Sequence, residues 1–153
     1  MENRHGQGRN FMKEGEFLDT NIHIYSIDTA SLPKKKVAMQ LVDRVFCEQT
    51  GTISIQVFCE FFWVATRKIK NPLSSDKANS IIKNLSTWNV HSPNYENIEN
   101  AIKLVSKYKL SFWDAMILES AIAMNCHTLW SEDLHNGAVY DGVHIRNPFN
   151  PIH

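Results

Sequence analysis

Apolar residues along the chain alternate between short unbroken runs and stretches spaced three and four apart, the signatures of buried strands and of amphipathic helices. A first strand is predicted at residues 16–18, running into a helix over 20–26. Val37, Leu41, Val45 and Phe46 mark a helix over 34–48, which Gly51 ends before a second strand at 52–55. Val57, Phe61, Val64 and Ala65 form the inward stripe of a helix that Ser54 or Ile55 opens and that runs to Lys68. The Asn71-Pro72 pair breaks the chain, and Ser74 or Ser75 caps a helix carrying Ala78, Ile81, Ile82 and Leu85. A strand at 88–91 follows, then helices over 95–108 (Ile98, Ala101, Ile102, Val105) and 111–124, a strand at 127–130 and a possible last one at 144–146.

Strands alternating with helices predict a three-layer α/β/α sandwich around a mostly parallel sheet of four to five strands. In such sheets ligands bind beyond the carboxyl ends of the strands. Residues 16–153 are expected to be one domain. Residues 1–15 are polar, hold three of the six glycines and show no hydrophobic period, so they are left out of the fold as a disordered extension or an expression remnant.

Composition narrows this further. A chain of 153 residues suits one core, burying about 70% of its unfolded surface. Lys plus Arg (16) balance Asp plus Glu (16), so any nucleic-acid surface has to be local. Cys47, Cys59 and Cys126 are odd in number and far apart, and read as reduced core residues. No signal sequence and no membrane-length apolar run is present, which leads to the expectation of a cytoplasmic protein with no membrane partner. Gly-rich phosphate loops, CxxC pairs and HExxH are absent from the sequence.

Four acids fall where a hydrophobic strand or helix is already under way: Asp19 in EFLDTN, Glu60 in QVFCEFF, Asp114 in LSFWDAM and Asp133 in LWSEDLHNG. An ionised carboxylate taken from water costs several kcal/mol, as an order of magnitude, unless something compensates it. Taken singly, Asp19 fits a helix cap, Ser111 and Asp114 fit a capping box, and Ser131-Glu132-Asp133 fits an acidic first turn. Glu60, amid Val57, Phe61, Phe62, Trp63 and Val64, looks buried or nearly so, with Arg67 a full turn too far to pair with it. Gathered at one sheet edge, four carboxylates oppose folding unless a cation intervenes. Oxygen-only ligation suits Mg²⁺ or Mn²⁺, and such an ion suits phosphodiester hydrolysis.

The blocks FLDTNIHIYSID, ISIQVFCEFFWVATRK, LSFWDAMILESAIAMNC and LWSEDLHNG, in this order, resemble the PIN-domain nucleases, most closely the VapC-like toxins of type II toxin–antitoxin pairs, over about residues 16–150. The resemblance implies a PIN-like sandwich, Mg²⁺- or Mn²⁺-dependent endoribonuclease activity on RNA, a homodimer, and inhibition by a cognate antitoxin. It also implies that Asp19, Glu60, Asp114 and Asp133 are the catalytic and metal-holding acids, with Asn21 and Ser131 supporting them. At the last position Glu132 competes with Asp133, or both serve.

The seven histidines are scattered and form no ligand set. Lys34, Lys35 and Lys36, and Arg67, Lys68 and Lys70, are local basic clusters that either contact an RNA backbone or decorate solvated helix ends. The aromatics Phe58, Phe61, Phe62 and Trp63 read as core and as contacts for a second copy or an antitoxin. Two other readings stand beside the nuclease: a catalytically silent PIN-like scaffold that binds a partner or nucleic acid, and a metal-dependent phosphatase or receiver-like domain with Asp19 as nucleophile. The latter expects a lysine that the window 128–134 lacks.

Overall fold

A computed structural model describes residues 14–152, so most of the 1–15 segment lies outside the described residues. Strand β1 (Gly15–Leu18) leads through Asp19 into helix α1 (Thr20–Tyr25), and α2 (Leu32–Glu48) follows. Strand β2 (Gly51–Ser54) passes directly into α3 (Ile55–Ala65), and α4 (Ser75–Leu85) precedes β3 (Asn89–His91). Helices α5 (Tyr95–Tyr108) and α6 (Phe112–Ala123) come before β4 (Cys126–Trp130), β5 (Val139–Tyr140) and β6 (Val143–Arg146).

The strands form one six-stranded sheet in the order β3-β2-β1-β4-β6-β5. Every neighbouring pair is parallel except β5 with β6. Consecutive residues of a strand face opposite layers, and β1 uses this to build two cores. Phe17 joins Ile53, Leu129, Val143 and Ile145 against α5 and α6, whereas Leu18 joins Ile22, Leu41, Val45 and Trp130 against α1 and α2. Helix α6 is covered on all sides, with seven consecutive residues from Ala115 to Ala121 buried, as a central helix must be when both its neighbours and the sheet enclose it.

The α/β/α sandwich is as expected, but the sheet has six strands rather than four to five. The extra strand is β5, joined to β6 by Asp141 and Gly142, which both hold positive φ (47° and 85°). Two such residues make the tight turn whose twist matches an antiparallel hairpin, and an Asp-Gly pair is its usual sequence.

Several side chains also face another way than the spacing suggested. The inward stripe of α2 is Ala38, Leu41 and Val45, and Phe46, rotated about 100° from Val45, is 58% exposed. In α5 the buried residues are Ala101 and Leu104, while Ile98 and Ile102 point outward. Val64 is half-buried at the margin of the α3 stripe. Of the cysteines only Cys126 is a core residue; Cys47 and Cys59 are exposed, because each lies round the helix from its buried stripe. None of the three is in a disulfide. Among the described residues no helix is long and apolar enough to cross a membrane.

Candidate active site

Three turns at the carboxyl edge of the sheet supply the site. Asp19 ends β1 and, in extended conformation, caps α1, accepting the Thr20 amide at 2.7 Å. Ser54 ends β2 and caps α3, which sets Glu60 in the second turn of that helix. The chain leaving β4 supplies Ser131, Glu132 and Asp133. Asp114 comes from the first turn of α6, whose N-cap is Ser111; the Ser111 hydroxyl accepts the Asp114 amide at 3.2 Å. Caps account for the local backbone here.

Asp19 is 4% exposed. Burial pushes its carboxyl up to about 7, the Ser131 hydroxyl and the Thr20 amide hold it down, and Asp133 and Glu60 push it up further. Asp114 is also raised, first by burial and then by the same two neighbours, with the Ser111 hydroxyl opposing. Asp19 and Asp114 therefore both sense Asp133 and Glu60, so the four acids predicted from sequence share one electrostatic environment.

The polar residues expected to support them are in contact. The Ser131 hydroxyl donates to Asp19 Oδ2 at 2.8 Å and accepts the Asp133 amide at 3.1 Å. Asn21 Nδ2 donates to Asp133 Oδ2 at 3.0 Å, and its Oδ1 accepts the Glu132 amide at 3.5 Å. Glu132 turns to another partner: its Oε1 takes the Lys34 ammonium at 2.7 Å, and that ammonium also lies 4.7 Å from the Tyr25 ring centroid. Glu60 is half-buried, as its apolar neighbours in sequence suggest, and Asp133 is exposed. Both sit at the rim, where the turn after β4 and the flank of α3 meet solvent.

A fifth acid shows what a purely structural carboxylate looks like in this chain. Glu16 receives the Arg44 guanidinium at 2.7 and 3.1 Å, the Thr50 hydroxyl at 2.6 Å and the Trp130 indole at 3.0 Å. Burial tends to raise its carboxyl, but the Arg44, Thr50 and Trp130 contacts prevail and hold it low. Among the described residues, Asp19, Glu60, Asp114 and Asp133 have no ion pair of that kind.

Sequence reasoning overlooked two residues that hold Glu60. The Thr20 hydroxyl donates to Glu60 Oε2 at 2.7 Å, and Gln56 Nε2 donates to Glu60 Oε1 at 2.7 Å. Gln56 could have been found, since it lies one helical turn before Glu60. Thr20 could not, because it is 40 residues distant in sequence. The basic clusters serve packing in part: Lys34 pairs with Glu132, and Arg67 stacks 3.9 Å over the Trp63 ring. Of the aromatic run Phe61 is core, whereas Trp63 is 52% exposed. A cavity of about 570 Å³ between the end of α2 and the turn before β3, lined by Phe46, Gly51 and Trp88, is not lined by any of the four acids.

The donor chemistry of this edge suits a hard divalent cation: carboxylates only, mutually repelling, two of them raised, and none paired with a basic side chain among the described residues. The side chains do not form a closed set as they stand, since among the described residues no three His, Cys, Asp or Glu are grouped as ready-made metal ligands.

A family model described as PIN domain matches residues 17–139. The chain belongs to the PIN-domain family. No curated protein matches it. Among solved structures this PIN domain is similar to a toxin–antitoxin complex from Klebsiella pneumoniae, at 22% identity and a TM-score of 0.63, over 84% of this chain and 95% of that one. It is also similar to VapC20 of Mycobacterium tuberculosis, described as a sarcin–ricin loop cleaving toxin, at 15% identity and a TM-score of 0.60, over 78% and 92%. A third is VapBC2 of Rickettsia felis bound to a promoter DNA fragment, at 18% identity and a TM-score of 0.61, over 86% and 97%. These likenesses establish the PIN fold over nearly the whole length of each relative.

Proposed function

We propose that this PIN domain is a Mg²⁺- or Mn²⁺-dependent endoribonuclease acting as the toxin of a toxin–antitoxin pair, with RNA as substrate, a cognate antitoxin as inhibitor, and a homodimer in the cytoplasm as its working form. The observation that carries the reading is Asp19, a buried carboxylate facing Asp133 and Glu60 without a basic partner among the described residues. The toxin assignment draws on the structural relatives, two of which are toxin–antitoxin assemblies.

In this reading Asp19, Glu60, Asp114 and Asp133 hold the cation. Asp133 is chosen over Glu132 because Lys34 occupies Glu132. When bound, the ion supplies neutralisation of the phosphate charge and activation of water. The protein contributes orientation: Ser131 fixes Asp19 Oδ2, Asn21 fixes Asp133 Oδ2, and Thr20 and Gln56 fix Glu60. With its carboxyl near 7, Asp19 carries a proton in part of the metal-free population and would have to give it up to hold a cation.

One observation favours a rival, the catalytically silent scaffold: the acids are not grouped as a closed ligand set. Titration calorimetry with Mn²⁺ on wild type and Asp114→Asn decides between them. The nuclease reading expects a clear binding isotherm that the variant weakens strongly, and equal heats in both proteins defeat it. In cells, RNA mapped for new 5′ ends should show cleavage with wild type and none with Asp19→Asn.

A further inference from the structure

We propose that Gln56 is a positioning residue of the carboxylate centre, holding Glu60 in place together with Thr20 and fixing the spacing between Glu60 and Asp114. The inference rests on the metal-dependent reading above and deepens it.

Both Glu60 oxygens are engaged from opposite sides of the site. Thr20, itself 7% exposed, donates its hydroxyl to Oε2 at 2.7 Å, and Gln56 donates its amide to Oε1 at 2.7 Å. The same Gln56 nitrogen reaches the Trp113 carbonyl at 3.3 Å. Because it faces two acceptors, the amide orientation is determined: a flipped side chain would point its oxygen at both. The oxygen that results, Gln56 Oε1, is buried and has no hydrogen-bond partner among the described residues. A buried acceptor without a donor is unfavourable, so packing alone gives no reason for an amide here.

Geometry gives one. Trp113 directly precedes Asp114, so Gln56, in the first turn of α3, links the Glu60 carboxylate to the first turn of α6 that carries Asp114. Glu60 repels Asp114, and without a tie the two helices relieve that repulsion by letting the side chains swing apart. A lysine or arginine at position 56 would also hold Glu60, by an i to i+4 ion pair, but would cancel part of the charge a cation needs. A neutral amide orients the carboxylate at full charge. Partners of this kind, one step removed from the metal, affect metal affinity by about 10- to 100-fold.

The test compares Gln56→Met, which keeps length and helix propensity but removes the donor, and Thr20→Val beside Thr20→Ser. Mn²⁺ dissociation constants are measured by calorimetry and melting temperatures in EDTA. Gln56→Met and Thr20→Val should each weaken Mn²⁺ by about tenfold or more, with metal-free melting temperatures close to wild type, and Thr20→Ser should recover most of the affinity that Thr20→Val loses. Mn²⁺ affinity within twofold of wild type in Gln56→Met overturns the proposal, as does an affinity loss matched by a large fall in the metal-free melting temperature, which marks a merely structural role. Gln56→Ala, read the same way, serves if Gln56→Met does not fold. Absence of Mn²⁺ binding by wild type itself defeats the metal-dependent reading and this inference with it, an outcome distinct from wild-type binding that Gln56→Met leaves intact.

Discussion

Asp19 is the most deeply buried acid of the proposed centre. A carboxyl raised from 3.8 to about 7 binds its proton more tightly in the folded than in the unfolded chain. The resulting stabilisation is fully present below about pH 4 and is lost as the pH rises through 7, a change on the order of 4 kcal/mol for such a shift. In metal-free buffer at pH 8, Asp19→Asn should therefore melt higher than wild type, and the advantage should shrink steadily towards pH 5. Taking the difference between the two proteins removes the contribution of His23, whose buried imidazole is pushed down to about 4 and so destabilises the fold as the pH falls. A variant that melts several degrees lower than wild type at pH 8 would mean that the capping bond to Thr20 outweighs the buried charge.

At the scale of elements, most of the fold was legible because strands and helices here carry their own signals. Ser54, Ser74 and Ser111 cap helices as expected, and Asn94 forms a full capping box with Asn97. Strand β5 was missed although its signal was present: Asp141-Gly142 is a two-residue hairpin turn, but the two-residue strand before it has no detectable period. Gly51 shows a constraint invisible to pattern analysis. A Cβ there would stand 2.5 Å from two Trp88 ring carbons, so Gly51→Ala has to displace the indole. Overpacking of this kind costs about 1–3 kcal/mol, measurable as a lower denaturant midpoint with an unchanged slope.

For the whole molecule, the parallel order β3-β2-β1-β4 brings turns that are up to 114 residues apart in sequence to one edge, from Asp19 to Asp133. Stability and cation binding are then linked, since an ion that binds only the folded chain shifts the unfolding equilibrium. At 100 times its dissociation constant, Mn²⁺ should add about 2.7 kcal/mol, which for a domain of this size is roughly 5–10 °C in melting temperature. The rise should occur in wild type and be largely absent in Asp114→Asn. Equal rises in both proteins would indicate binding elsewhere on the surface.

The sequence by itself determined the layered α/β architecture, the order of its elements and the four carboxylate positions, because hydrophobic period, capping residues and misplaced charge are local properties of a chain. It put Asp133 ahead of Glu132 as the last acid, and passed over Thr20 and Gln56 altogether. The contacts of these side chains belong to tertiary structure: Lys34, from the start of α2, pairs with Glu132, Asn21 bonds Asp133, and Thr20 and Gln56 close on Glu60 from two different elements. Which hydrogen bond a carboxylate makes depends on the few ångströms between side chains that the sheet brings together, and no spacing along one chain encodes that distance.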